Sequence, residues 1–375
     1  MHRPGGRLNS RPLSIFLLEV TTLLYLLAAI LMFGILITLH ELGHFWTAKL
    51  CGVKVNEFSI GMGPLLLKKQ GKETQYSLRA IPLGGYCAME GEEEGVSSDP
   101  RAFPNRPWWQ RLIILLAGVT MNFLVGVAIL ALLYAQSTAF YLPVVSGFSL
   151  QSAAQEQSLQ EGDRILRVNG HAVLLTSDIS FFLGRDGSGT ADLVVERNGE
   201  KVVLNGYRLP EPGILGIYTT PVATNPGLVL RQAVYQALDY VRMVWYSLGD
   251  LVSGSVGIRE VSGPVGIVSM VGEVGQEGAK AAESAGQPAA LGAFVNILSF
   301  AAFISINLAV MNLLPIPGLD GGQVVFLALN GIVFALRGKK LDPKYQGWVT
   351  AASFVILLLL MAAVTVSDIL KQFGV

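Results

Sequence analysis

Charge is scarce in this sequence. Twenty-seven basic and twenty-seven acidic residues among 375 leave it 14% charged, against about a quarter in an ordinary soluble protein. Hydrophobic residues make up 51% and mean hydropathy is +0.51. A soluble globular chain is thereby excluded, and the class is integral membrane. Neither sign of charge is in excess: the formal net charge is zero, which gives no reason to expect nucleic-acid binding. Cysteine is nearly absent. Cys51 and Cys87 lie in a segment read as cytosolic, where a disulfide is not expected; spare thiolate ligands are one reading, but a pair 36 residues apart without a CxxC spacing reads more simply as packed thiols.

What is present begins with an apolar run. Val20 to Leu39 holds twenty residues without a formal charge, enough helix to cross a bilayer core and too long for a cleaved signal peptide. It ends in His40-Glu41-Leu42-Gly43-His44. On a helix, positions i and i+4 share a face, so both imidazoles can reach one ion. Glu41 stands beside them, placed to polarise a metal-activated water, and Zn²⁺ is the usual metal. The plainer alternative is a cluster that snorkels to the headgroups. Ionisable groups at that depth are costly and usually functional, which favours the metal site.

The chain then divides as follows. Residues 1–140 are an N-terminal membrane part. It has an arginine-bearing tail (Arg3, Arg7, Arg11), spans at about 20–47 and 112–134, and a basic, strand-forming loop at 48–111. Glycines 61, 63, 84 and 85 punctuate that loop, its acidic patch Glu90 to Glu94 reads as a solvated stretch, and Trp108-Trp109 sits where an interfacial anchor belongs. Gly118 and Gly126 permit close helix contact on span two, and Asn122 reads as a hydrogen bond to a neighbouring helix. Residues 141–210 form a mainly β module whose Asn169-Gly170 and Asn198-Gly199 pairs are turn signals. His171 reads as a surface residue. Residues 211–290 are a linker with an amphipathic membrane-surface helix over 228–253, apolar at 234, 238, 241, 245, 248 and 252, the alternative being a linker helix packed on the β module, and a mobile Gly/Ala/Glu stretch over 271–290. Residues 291–375 carry spans at about 291–320 and 345–367, with a basic loop of Arg337, Lys339, Lys340 and Lys344 between them.

The third span ends in Asn312-Leu-Leu-Pro315-Ile-Pro317-Gly-Leu-Asp320-Gly-Gly. Two prolines and three glycines must break or kink the helix there, and broken backbone at membrane depth is tolerated only where it lines a cavity. Asp320, just past the break, is a third ligand candidate. His40 and Asp320 sit at the ends of spans that run in the same direction, so they lie near one face. The basic loops at 48–111 and 337–344 make that face cytoplasmic, against the weaker pull of the tail arginines.

These motifs in this order resemble a site-2 protease of the bacterial branch with a single PDZ domain. The resemblance rests on HELGHFWTAK at 40–49, EFSIGMGP at 57–64, LRAIPLGGY at 78–86, EGDRILRVNG at 161–170, GPVGI at 263–267 and NLLPIPGLDGG at 312–322. It implies a polytopic α-helical membrane protein with about four transmembrane helices, a membrane-associated β-hairpin and an inserted mainly-β PDZ-like domain. It implies zinc held by His40, His44 and Asp320, with Glu41 as catalytic base. Asn312, Pro315, Pro317, Gly84 and Gly85 are the implied substrate-binding positions.

The expected activity is cleavage inside single-span proteins, such as anti-sigma factors or remnant signal peptides, after an upstream site-1 type protease has cut outside. The expected place is the bacterial inner membrane, with the PDZ-like domain outside the cytoplasm. Two departures stand out. Val119 follows Ala117-Gly118 where the family usually has proline, and the stretch before Gly162 lacks the family's helix ending in Ala-Gly-Leu. Two other classes compete: an inactive membrane-segment scaffold, which has no need of Glu41, and a metal transporter, for which spans two and four lack polar ligands.

Overall fold

A computed structural model describes residues 13–92, 97–149, 159–257, 260–338 and 343–372. The tail arginines, Glu93 and Glu94, the stretch before Leu159, and Lys339 with Lys340 lie outside the described residues. The chain forms two compact units: Met1–Gly126 with Tyr246–Val375, and Val127–Trp245.

The first unit is built on α1 (Leu13–Leu50), which carries the apolar run past the HExxH sequence without interruption. A hairpin of β1 (Val55–Gln70) and β2 (Gln75–Met89) follows, then α2 (Trp108–Tyr134). Four segments are long and apolar enough to cross a membrane: Leu23–Leu50, Trp108–Tyr134, Ala289–Asn312 and Lys344–Lys371. Close approach sets how they pack. A Cβ at Gly43 of α1 would come within 2.6 Å of the Ala117 carbonyl of α2, and one at Gly126 within 2.5 Å of Ile306. The third apolar stretch does not run through 320 as expected. Its helix, here numbered α6 in chain order, ends at Asn312, and a new helix, α7 (Asp320–Arg337), starts at the aspartate. Pro315 and Pro317 lack the N–H groups a continuous helix needs. A Cβ at Gly321 or Gly322 would lie 2.2 Å from a carbonyl of the break, so those glycines let α7 pack directly on it. The last helix, α8 (Pro343–Gln372), overruns its expected span at both ends.

The hairpin is doubly folded. Gly61, Gly63 and Gly84 hold positive φ, which glycine adopts without Cβ strain. The resulting bends let β1 residues 57–60 pair on both sides: Glu57 with Gln75 and Ala88, Ile60 with Leu78 and Gly85. Residues 85–88 thereby become an edge. Phe58, Cys87 and Met89 enter a core with Ala48, Val53, Phe103, Ile114 and Leu327.

The glycine-rich stretch expected to be mobile is helical. The helix α5 (Pro264–Ser284) packs on α6 (Ala289–Asn312). Gly278 and Gly292 meet so closely that a Cβ on either would lie 2.0–2.3 Å from the other's carbonyl. Its small residues therefore serve contact. The buried Asp368 of α8 accepts the Gly263 and Gly266 N–H groups at 2.8 Å each, tying the start of α5 to the last helix.

In the second unit, β3 (Ala139–Phe148), β4 (Arg164–Val168), β5 (His171–Ala172), β6 (Thr190–Arg197), β7 (Glu200–Arg208) and β8 (Ile217–Ala223) form one sheet. The order is β7-β6-β4-β3-β8, with β5 on β4. The strands thus extend past residue 210, where the sequence reading ended the module. Asn169-Gly170 and Asn198-Gly199 both adopt positive φ, as type I′ turns require. Asp163 is fully buried and accepts two hydrogen bonds from Arg197 at 2.8 and 2.7 Å. One helix, α3 (Thr176–Asp186), covers the sheet; exposed His171 stacks on its Phe182. The helix expected over 228–253 is α4 (Pro226–Ser253). It buries Leu228, Val229, Ala233, Ala237 and Val244, while Leu238, Trp245 and Val252 of the expected stripe stay exposed.

Candidate metal centre

Helical phase brings His40 and His44 onto one face of α1, their ring centroids 4.8 Å apart. The start of α7 brings Asp320 to them. Their Nε2 atoms lie 3.2 Å from each other, and Asp320 Oδ2 lies 3.2 Å from His40 Nε2 and 3.3 Å from His44 Nε2. Both histidines are buried, and Asp320 Oδ2 is a buried oxygen without a hydrogen-bond donor.

The far sides of the rings test whether this is a metal site. His44 Nδ1 lies 2.8 Å from the Ile114 carbonyl. That acceptor requires the proton on Nδ1 and leaves the Nε2 lone pair facing the cluster. His40 Nδ1 lies 3.2 Å from the Asn122 amide, whose oxygen and nitrogen exchange places by a flip. With its oxygen toward the ring, the amide accepts the Nδ1–H, and His40 Nε2 is free in the same way. Two imidazole lone pairs and a carboxylate oxygen then point at one another within 3.3 Å. Such an arrangement is repulsive without a cation, and it offers the mixed nitrogen and oxygen set that suits Zn²⁺. Among the described residues, these three form the one cluster of histidine, cysteine and carboxylate donors of this kind.

Gly118 forms the floor. A Cβ there would stand 2.3 Å from His44 Nε2 and 2.6 Å from the His40 ring, so α2 can pass beneath the imidazoles only with glycine at that position. Sequence reading took Gly118 for a helix contact and Asn122 for an ordinary buried amide. The signal that separates them is the four-residue spacing, which puts both on one helix face. Ser305 of α6 donates to the Asn122 carbonyl at 2.7 Å and locks that face further.

Glu41 accepts a hydrogen bond from the backbone N–H of Cys87, on the hairpin edge. A Cβ on Gly85 would be 3.5 Å from the Glu41 side chain. Glu41, His44 and Asp320 line a cavity of about 860 Å³ together with Tyr86 to Glu92 of the hairpin, Gly318 and Leu319 of the break, and Gln346 to Phe354 of α8. Asn312, Pro315, Pro317, Gly84 and Gly85 are not among its lining residues. Cys87 is on the wall, but burial, then the nearby Glu41, pushes its thiol up, so it faces the cavity as a neutral group. Both cysteines are free.

The acidic patch is not uniformly solvated as the sequence suggested. Glu90 accepts from Lys54 Nζ at 2.9 Å and from Asn56 at 3.2 Å. Glu92 turns into the cavity, where its carboxylate accepts one long hydrogen bond from Met89 N–H at 3.4 Å. Burial pushes its carboxyl up to about 7.

Membrane-length helices beside a buried His-His-Asp cluster and a glutamate mark the class as a membrane protein with a candidate metal centre. The chain belongs to peptidase family M50, the site-2 protease family, whose model matches residues 28–360. It is 40% identical to a candidate zinc metalloprotease of Clostridium acetobutylicum, over 91% of this chain and 96% of that one. It is 29% identical to the zinc metalloprotease RasP of Shouchella clausii, over 93% and 99%. It is 27% identical to the regulator of sigma-W protease RasP of Bacillus subtilis, over 92% and 98%.

Proposed function

We propose that this protein is an intramembrane endopeptidase that cuts single-span membrane proteins within the membrane, after a first cut outside. The observation that carries the reading is the meeting of His40 and His44, on a membrane-length helix, with Asp320, at the start of α7 just past another such helix; His44, Asp320 and Glu41 open onto one cavity. In this reading the three residues hold zinc and Glu41 is the base. Zinc supplies a Lewis acid that makes water nucleophilic at neutral pH. Glu41 takes the proton of the attacking water and returns it to the leaving amine. Its contact with the Cys87 N–H aims the carboxylate along the hairpin edge.

A helical substrate must unwind before attack, because its carbonyls are committed to i→i−4 bonds. The bent hairpin presents residues 85–88 as an edge beside Glu41. An unwound segment would add to that edge as a further strand and recover part of the lost hydrogen bonding. Asn312, Pro315 and Pro317, at the break before Asp320, would keep the opposite wall from closing as regular helix. Gly84 and Gly85 would let the substrate backbone come near.

The basic loop after α1 puts this end on the cytoplasmic face of the inner membrane. The sheet unit, which we read as a PDZ-like domain, then lies outside and admits only substrates already trimmed there. The name regulator of sigma-W protease, carried by the Bacillus relative, favours an anti-sigma factor as substrate; a remnant signal peptide has the same single-span form.

The test pairs metal content with cleavage. Wild type and Glu41→Gln, purified in detergent, are assayed for bound zinc and given a labelled single-span substrate truncated on its outer side. Both should hold about one zinc, and only wild type should cut within the span. Zinc-loaded wild type that cuts no truncated span would leave a binding scaffold as the better reading.

A further inference from the structure

The cavity wall carries a charge that the reaction does not use. Its lining includes four carboxylates and, among the described residues, no lysine or arginine. Three of the four are accounted for. Glu41 and Asp320 belong to the metal centre, and Glu90 is held by Lys54 and Asn56. Glu92 is the remainder: half-buried, with a single long backbone hydrogen bond and no cation beside it on the wall. A carboxylate withdrawn from water without a counter-charge is costly, and the one long Met89 N–H bond offsets only a small part of that cost. Glu92 also neither caps a helix nor bridges strands. It follows the hairpin edge by three residues, at the end of the surface along which an unwound substrate would lie.

The missing counter-charge has a natural source. A single-span protein carries its lysines and arginines on the cytoplasmic flank of its span, and the proposed site opens near that side. We infer that the Glu92 carboxylate is a specificity determinant, pairing with a lysine or arginine of the substrate on the cytoplasmic flank of the cleaved segment. The inference rests on the protease reading for the route by which the substrate enters. It goes further in naming the charge that the substrate must present and the residue that reads it. A glutamate or aspartate at the same substrate position would face Glu92 and Asp320 together and be rejected, since like-charge juxtaposition discriminates between partners.

The experiment uses full-length, zinc-loaded protein in detergent. Its single-span peptides come in sets of three, identical except for Lys, Gln or Glu at one position, with successive sets moving that position along the cytoplasmic side of the span. In wild type, the best Lys peptide should be cleaved with kcat/KM at least about tenfold above its Glu counterpart, the scale of a partly desolvated charge contact. Glu92→Gln should bring that ratio near one, and Glu92→Lys should invert it. The ratio is read within each variant, so a general loss of activity cancels, and bound zinc is measured alongside. A ratio that Glu92→Gln leaves unchanged overturns the inference.

The same peptides are titrated by fluorescence anisotropy against Glu41→Gln with and without Glu92→Gln. If nothing is cleaved but binding favours Lys and loses that preference with Glu92, the pairing stands and the protease reading falls. Binding indifferent to charge overturns the pairing, whether or not the wild type cuts.

Discussion

Asn122 shows how much one amide can decide. Its side-chain amide reaches His40 Nδ1 at 3.2 Å while Ser305 donates to its backbone carbonyl, so the side chain is placed to set the tautomer of the first imidazole. Ligand partners of this kind typically alter metal affinity by about 10–100-fold when removed. Asn122→Ala should therefore weaken zinc binding by about that factor in a chelator competition, with the helices still formed by circular dichroism. Unchanged affinity would mean that His40 is oriented by packing alone. Its spacing from Gly118 was readable in the sequence, but its target was not. Nothing in residues 112–134 tells which of several apolar helices the amide faces. The HExxH spacing, by contrast, acts within one helix and needs no partner to place its two rings together.

At the scale of elements, two contacts carry predictions. Gly278 and Gly292 let α5 and α6 touch backbone to backbone. Gly292→Leu forces them apart, an overpacking that costs about 1–3 kcal/mol or more. It should lower the thermal midpoint in detergent by several degrees, as followed by intrinsic fluorescence; an unchanged midpoint would mean that the pair is not closely packed. Within the sheet unit, Arg242 of α4 lies 2.7 Å from Asp178 of α3 and 2.8 Å from Asp239, and all three sit together with the Ala172 carbonyl as a further acceptor. One cation faces two buried carboxylates.

Burial, followed by the adjacent Asp178, pushes Asp239 up to about 6 from an ordinary 3.8. The folded state then holds this proton more tightly than the unfolded chain. That contribution to stability is complete below about pH 4 and is lost as pH rises through about 6. Protection factors in α4 of the full chain, which remove the pH dependence of the intrinsic exchange rate, should be higher at pH 5 than at pH 7.5, and Asp239→Asn should remove the difference. An equal difference in the variant would assign it to another group. The sequence marked Arg231, Asp239, Arg242 and Asp250 as reasons against a clean span. It did not reveal that Asp239 and Arg242 turn inward to α3, because local periodicity does not tell which face of an amphipathic helix meets protein.

At the scale of the molecule, the four membrane-length helices permit one simple path. In the proposed orientation, the hairpin loop and the segment before α8 share the cytoplasmic face, and the sheet unit lies outside. Lys72→Cys and Ser188→Cys, each in a background lacking Cys51 and Cys87, should label from opposite sides of the membrane with an impermeant maleimide. Lys72 is expected to react only from the cytoplasm and Ser188 only from outside. Labelling of both from one side would break the four-span path and the topology with it.

The number of apolar spans, the HExxH site, the helix break before Asp320 and the asparagine-glycine turns of the sheet unit were all determined by sequence alone. Each depends on interactions within a few residues: helical phase, missing proline donors, positive-φ tolerance. The ordering of residues 271–284 as helix, the double pairing of the hairpin, Asn122 against His40 and Glu92 in the cavity were decided only by the tertiary structure. These depend on which surfaces meet, 14 residues apart for Gly278 with Gly292 and 82 for His40 with Asn122, or on bends where bulges shift register, and no local pattern encodes those pairings. Asp320 belongs to both accounts. Its place after the break was legible, whereas its arrival within 3.3 Å of both histidines required α7 to begin there.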